Sequence, residues 1–251
     1  MKTIVADENT RVTAELLDSQ KPSRIVNSCR GRDHINYEAC RERGVEVIET
    51  DYAPEDSVAD HAIAMLLHLT CLGPKNAGRD GEETNGKRAL IIGAGRIGMQ
   101  IHQRLYGFNL ETIEYYDPYS DFAHYNHSKQ LPRALELADY VFLACPLTKE
   151  NKGMIAYQEL LRLKNKVLIN VARSELVDPY YLAMAVKDWG LRVGWDFHDE
   201  LHATNWPCWE ALLHASARGN AVLTKHNAWR TREAKERRER AVREAKKVVK
   251  K

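Results

Sequence analysis

From residue 88 onward the chain alternates short, continuous apolar runs with stretches of helical spacing, and that alternation leaves few folds open. The runs are Arg88–Ile92, Thr112–Tyr116, Asp139–Ala144, Lys166–Asn170, Leu191–Trp195 and Ala221–Thr224. Between them lie Ile97–Tyr106, Leu131–Ala138, Ile155–Leu163, Tyr180–Asp188 and Trp209–His214. Strands without an alternating polar face have to be covered on both sides, and crossover helices between parallel strands do this. The pattern predicts an α/β fold, a doubly wound parallel sheet of Rossmann type, over residues 78–229.

The front of the chain repeats the pattern on a smaller scale. Thr3–Ala6, Arg24–Ser28 and Val45–Glu49 read as strands, with Val12–Asp18 and Tyr37–Arg43 as helices and Val58–Leu69 as a longer apolar helix. The turn-rich stretch Gly73-Pro74-Lys75-Asn76-Ala77-Gly78-Arg79-Asp80-Gly81 reads as an interdomain linker, and a small domain is placed over 1–77. The last segment, 230–251, holds eleven Lys/Arg against four Glu, a net of +7, so the remainder carries −5 of the overall +2. Glu233–Arg237, Glu236–Arg240 and Glu239–Arg243 are favourably oriented i,i+4 pairs, and Ala234, Ala241, Ala245 and Val248 form a narrow apolar stripe. A helix docked back on the small domain accounts for this better than a nucleic-acid tail, because no aromatic residue interleaves the charges.

Composition narrows the class further. The content is that of a globular chain, with 44% hydrophobic and 29% charged residues and no apolar run of membrane-spanning length. Five widely spaced cysteines (29, 40, 71, 145, 208) form no CxxC pair, which argues against a disulfide framework or a metal site and for a reducing cytoplasm. The close histidine pairs His124/His127 and His198/His202 have no third ligand nearby in sequence. The start, Met1-Lys2-Thr3-Ile4-Val5-Ala6-Asp7, lacks the h-region of a signal peptide.

The strongest local signal is Gly93-Ala94-Gly95-Arg96-Ile97-Gly98, which follows a strand and opens a helix. Gly93 suits the tight turn, Gly95 the approach of a pyrophosphate, and Gly98 the packing of helix on strand. Arg96 and Ile97 belong to the helix N-terminus, whose free N–H groups attract phosphate. Asp117, nineteen positions after Gly98, stands where a carboxylate accepts the adenosine ribose hydroxyls and repels a 2′-phosphate. The cofactor predicted is therefore NAD.

In open parallel sheets, ligands sit outside the carboxyl ends of the strands. Those ends carry Gly93, Asp117, Cys145-Pro146-Leu147-Thr148, Val171-Ala172-Arg173, Asp196 to Glu200, and Lys225-His226. Beside a nicotinamide, an arginine that forks to a carboxylate and a histidine that exchanges a proton near neutral pH suit redox chemistry on a keto acid. Cys145 precedes Pro146 at a strand end but has no base partner in sequence that would make it a nucleophile.

These segments resemble the D-isomer-specific 2-hydroxyacid dehydrogenases. Pro146-Leu147-Thr148 with Leu168-Ile169-Asn170-Val171-Ala172-Arg173-Ser174-Glu175-Leu176-Val177-Asp178 is similar to the family's catalytic-arginine signature. Leu223-Thr224-Lys225-His226-Asn227-Ala228-Trp229 is similar to its catalytic-histidine segment, and Gly194-Trp195-Asp196-Phe197 to the motif before its glutamate. Gly31-Arg32-Asp33-His34-Ile35-Asn36 resembles the loop that holds the substrate carboxylate, and Ser57-Val58-Ala59-Asp60-His61-Ala62 the start of the interdomain helix.

The resemblance implies reversible, NAD-linked interconversion of a (D)-2-hydroxy acid and a 2-keto acid. Arg173 binds and polarises the substrate, His226 is acid/base, and Glu200 pairs with His226, with Asp199 as its rival. Gly93 to Gly98, Asp117, Pro146, Thr148, Val171 and Ala172 cradle the cofactor, and Asp196 lies by the carboxamide. Cys29, Arg30 and Gly31 bind substrate in a flavodoxin-like substrate domain shortened at its front. A homodimer is implied, with no nucleic-acid or membrane partner. The chain departs from the family pattern at Ser174 in place of Gly and Lys225 in place of Pro. Two other functions fit the same fold: a catalytically idle protein that senses NAD(H), and a dehydrogenase of formate or another small anion.

Overall fold

The computed structural model describes residues 2–7, 9–29, 31–72, 78, 80–120, 128, 130–196 and 208–247. The chain divides into two compact units, 1–54 with 229–251, and 55–228. The joint thus falls at Pro54–Glu55, ahead of the 77/78 boundary expected from the linker-like composition of 73–81. The long apolar helix accounts for the difference, as shown below.

In the first unit, β1 (Thr3–Ala6), β2 (Arg24–Asn27) and β3 (Glu46–Glu49) form a parallel sheet in the order β1-β2-β3. Two short helices connect them. The first, α1 (Ala14–Gln20), is capped by the Thr13 hydroxyl, which accepts from the Leu16 N–H, and stops at Lys21 in the left-handed region. The second, α2 (Tyr37–Glu42), is capped by Asn36, which accepts from the Ala39 N–H. Ala6, Val12, Leu17, Ile25, Ile35, Ala39 and Cys40 are the buried cluster between helices and sheet. The C-terminal helix (Arg232–Lys247) belongs to this unit; Ala234 and Ala245, two of the stripe residues, are its buried positions.

The second unit opens with α3 (Glu55–Leu67). Six parallel strands follow: β4 (Arg88–Ile92), β5 (Thr112–Tyr116), β6 (Tyr140–Leu143), β7 (Val167–Asn170), β8 (Arg192–Trp195) and β9 (Ala221–Leu223), in the order β5-β4-β6-β7-β8-β9. The crossovers carry α4 (Arg96–Leu105), α5 (Leu131–Leu137), α6 (Tyr157–Arg162), α7 (Pro179–Asp188) and α8 (Trp209–Ala217). Each predicted run is present, trimmed by a residue or so at its ends. Strands β6, β7 and β8 are buried at every position, as their apolar runs require, with Asn170 and Arg192 the polar residues among them. Helix α3 is buried at Glu55, Ser57, Val58, Ala59, Ala62, Ile63, Met65 and Leu66 and exposes Asp56, Asp60 and Ala64. A Cβ on Gly194 of β8 would lie 2.9 Å from Met65 Cβ. Helix and sheet approach that closely because Gly194 has no side chain, so α3 is part of the second unit's core rather than a tether ahead of it.

The strand order reverses between β4 and β6, and the crevice of a doubly wound sheet opens at such a switch point. The loops after these two strands are Gly93–Gly98 and Cys145–Thr148.

Candidate active site

Each glycine of the cofactor loop has a separate geometric reason. Gly93 has φ +106, and a Cβ there would lie 2.8 Å from the backbone of Ala144 and Cys145. At Gly98 a Cβ would stand 2.1 Å from the Gly93 carbonyl oxygen, so α4 and the loop pack backbone to backbone. Gly95 differs: nothing lies within 4 Å of its Cβ position. It caps α4 without a side-chain hydrogen bond, leaving the first-turn amides for a ligand. Arg96, in that turn, pairs with Glu55 at 3.5 Å, and Ile97 is half-buried. The Asp117 carboxylate accepts from the Ala94 N–H at 2.9 Å and the Tyr119 N–H at 3.0 Å, which ties the end of β5 to the glycine loop. Uncapped amides, an open Cβ position and a fixed carboxylate together fit a dinucleotide.

After β6, Asn151 shapes the loop. Its side chain accepts from the Thr148 N–H at 2.7 Å and donates to the Pro146 carbonyl at 2.7 Å. Cys145 beside it is no nucleophile, since burial pushes its thiol up to about 11.

Arg173 follows β7, and buried Asn170 at the end of that strand builds its loop. The Asn170 amide donates to the Arg173 carbonyl at 2.9 Å, and its oxygen accepts from the Ala172 N–H at 2.9 Å. The guanidinium also donates to the Ala172 carbonyl at 3.0 Å. Val171 and Ala172 are buried. Ser174, the departure from the family's Gly, has a partner: the Trp195 indole N–H donates to its hydroxyl at 3.0 Å, with both residues fully buried. Ser174→Gly strands that indole N–H, and the expected loss is about 1–3 kcal/mol of unfolding free energy, read by urea titration. A variant as stable as the parent would show that the hydroxyl contributes nothing.

His226 stands beyond β9 with φ +44, in the left-handed region uncommon for a non-glycine residue. What holds it there is Asp196, 1% exposed at the end of β8. One carboxylate oxygen accepts from the Thr224 hydroxyl at 2.5 Å and the Asn227 N–H at 3.1 Å, the other from the Ala228 N–H at 3.1 Å. The donors bracket His226 on both sides. His61 of α3 completes the cluster, its Nε2 lying 2.9 Å from the Thr224 hydroxyl and 3.6 Å from Asp196. Because the Thr224 proton goes to Asp196, Thr224 accepts from His61, whose Nε2 therefore carries the proton.

In the first unit, the loop after β2 has the same kind of organiser. Buried Asn27 donates to the Gly31 carbonyl at 3.1 Å and accepts from the Cys29 N–H at 3.2 Å. Arg30, Asp199, Glu200 and all four residues of the two close histidine pairs lie outside the described residues.

Sequence reasoning did not single out the residues that shape these loops, Asn27, Asn151, Asn170, Thr224 and His61. A signal existed for two of these: Asn27 and Asn170 each end an otherwise apolar strand, Arg24-Ile25-Val26-Asn27 and Val167-Leu168-Ile169-Asn170. A buried polar residue there has to satisfy itself on the loop that follows.

A switch-point crevice with a glycine-rich cradle, a strand-end carboxylate after β5, an arginine after β7 and a histidine after β9 defines a dinucleotide-dependent oxidoreductase. Comparison with known sequences gives the family. The family description "D-isomer specific 2-hydroxyacid dehydrogenase, NAD binding domain" matches residues 67–228, and the chain belongs to this family. Over 252 residues it is 33% identical to a glyoxylate reductase of Pyrococcus furiosus, covering 90% of this chain and 72% of that one. With a D-lactate dehydrogenase of Escherichia coli it shares 27% identity over 92% of this chain and 77% of that one. A solved D-lactate dehydrogenase of Aquifex aeolicus, complexed with NAD and lactic acid, superposes with a TM-score of 0.87 at 27% identity, over 99% of this chain and 83% of that one. The activity class is thus NAD-dependent 2-hydroxyacid dehydrogenase, and no comparison favours the idle sensor. Among the described residues, no helix is long and apolar enough to cross a membrane.

Proposed function

We propose that this protein reduces a small 2-keto acid to the (D)-2-hydroxy acid with NADH, using Arg173 to bind the substrate and His226 as the acid/base. The observation that carries the reading is the Asp196 clamp, which fixes the His226 loop at the carboxyl edge of β8 and β9, with β7 and Arg173 next along the sheet. The bound nicotinamide supplies the hydride. Arg173 offers a planar fork of donors to the substrate carboxylate, which orients the keto carbon and withdraws charge from the carbonyl. His226 gives the proton that the carbonyl oxygen takes up on reduction and recovers it in the reverse direction. Asp196 acts through the loop as a positioning residue. Glu200 is proposed as the carboxylate partner of His226, with Asp199 the alternative. Pro146, Thr148, Val171 and Ala172 are proposed to line the cofactor. Cys29, Arg30 and Gly31 are proposed to hold the substrate carboxylate through backbone amides, which makes the first unit the substrate domain.

NADH oxidation measured against glyoxylate, hydroxypyruvate and pyruvate tests the proposal. At least one is expected to be turned over, and His226→Ala is expected to lose about 10²–10⁴-fold in kcat/KM while keeping its NADH affinity. Unchanged turnover in that variant would remove His226 from the mechanism. Two further proposals go with this one. None of the five cysteines is in a disulfide, which suits a reducing cytoplasm. The family likeness supports a homodimer assembled through the second unit, which light scattering would read directly.

A further inference from the structure

The first unit holds a pocket of about 500 Å³ that none of these roles uses. Val5 of β1 and Ser28, just past β2, line one side; Lys235, Arg238 and Val242 of the C-terminal helix line the other; Trp229 also lines it. Arg238 is a fixed group here, only 15% exposed. Its guanidinium lies 4.7 Å from the centroid of the Trp229 ring and donates to the Ser28 hydroxyl at 2.9 and 3.3 Å. That hydroxyl donates onward to the Ala6 carbonyl at 2.9 Å. Cation, ring and hydroxyl are thus preorganised, the arrangement that loses least on gripping a ligand.

The lining is also short of acceptors. The Asp7 carboxylate lies 3.9 Å from Arg238, and Glu239 pairs with Arg243 at 3.6 Å. Lys235 has no ion pair among the described residues, so the wall carries three cations against two carboxylates. A wall with one more cation than carboxylate, built around a fixed guanidinium, suits an acceptor-rich, anionic group.

Ser28, which anchors Arg238, directly precedes the loop Cys29–Gly31. We propose that the pocket takes a second anionic group on the substrate, a carboxylate or phosphate distal to the keto acid, and that Arg238 and Lys235 set this specificity. The proposal rests on the dehydrogenase reading and narrows it to one substrate class.

The test is steady-state kinetics of the full chain with NADH on two matched pairs. One is 2-oxoglutarate against 2-oxohexanoate, the other phosphohydroxypyruvate against hydroxypyruvate. The acidic member of at least one pair is expected to be preferred tenfold or more in kcat/KM, and the favoured pair tells carboxylate from phosphate. In Arg238→Gln that preference should fall at least tenfold, through KM rather than kcat. Lys235 is exposed, so Lys235→Gln leaves the fold unperturbed and should reduce the preference severalfold. A native enzyme indifferent to the second charge, or variants that depress both members of a pair alike, would overturn the proposal. If no 2-keto acid is turned over, the dehydrogenase reading fails and calorimetry with glutarate judges the pocket alone. Stoichiometric binding that weakens tenfold in Arg238→Gln keeps an anion site, and absence of binding removes it.

Discussion

Replacing Asp196 with alanine is expected to lower the unfolding free energy by about 3–5 kcal/mol and to reduce kcat/KM by about 10²-fold or more, since small displacements of a catalytic group carry penalties of that order. The carboxylate is almost completely buried and takes three hydrogen bonds, from Thr224, Asn227 and Ala228. Without it, two backbone N–H groups and a hydroxyl lose their acceptor, each costing about 1–3 kcal/mol when it cannot reach water. His226 sits between these donors with a backbone conformation that non-glycine residues adopt only when their surroundings impose it. The loop should relax, so activity falls together with stability. Asp196→Asn separates the two effects, because the amide keeps one acceptor oxygen but turns an NH₂ group towards a donor. It should cost less stability than alanine and still misplace His226. Guanidinium unfolding monitored alongside NADH oxidation reads both quantities. A fully stable Asp196→Ala protein would contradict the clamp. A destabilised one that retains full kcat/KM would show that His226 is held by something else.

The sheet of the second unit was legible because its central strands are buried on both faces and each run is closed by a turn or a helix signal; Val167–Asn170 and Tyr140–Leu143 are plain cases. The glycine loop was legible because one motif fixes three separate geometric demands. The domain joint was not. Turn-rich composition at 73–81 resembles a linker, but Met65 packing into the gap left by Gly194 is a tertiary fact, 129 positions apart in sequence, that no local window contains. The clamp on His226 was hidden for the same reason. Asp196 was marked as a strand-end carboxylate, but its partners Thr224, Asn227 and Ala228 come into reach only because β9 lies beside β8. Ser174 shows the remaining kind of difficulty. It is a departure from the family pattern, and nothing local in the sequence indicates that the Trp195 indole donates to its hydroxyl.

Within the glycine loop, two alanine substitutions three residues apart should move stability in opposite directions while both weaken NADH binding. At Gly98 the added methyl meets the Gly93 carbonyl at 2.1 Å, and Gly93 cannot retreat, since the backbone of Ala144 and Cys145 lies 2.8 Å from its own Cβ position. Helix α4 has to move off the sheet, an overpacking cost of about 1–3 kcal/mol. Its first-turn amides move with it. Losing one charge-assisted hydrogen bond of about 1.5–3 kcal/mol to a pyrophosphate weakens NADH by roughly 10- to 100-fold. At Gly95 the methyl enters open space at a φ of −78, which alanine accepts without strain. Restricting the unfolded chain should then stabilise the protein by up to about 1 kcal/mol. The same methyl stands where a pyrophosphate would approach the helix N-terminus, so affinity should fall about tenfold or more, as for a lost charge-assisted bond. Thermal melts paired with NADH fluorescence titration measure both axes. Native NADH affinity in Gly95→Ala would place the pyrophosphate elsewhere, and native stability in Gly98→Ala would mean that helix and loop are not packed backbone to backbone. The predicted pattern, one variant less stable and one more so with both binding poorly, is not produced by general damage to the fold.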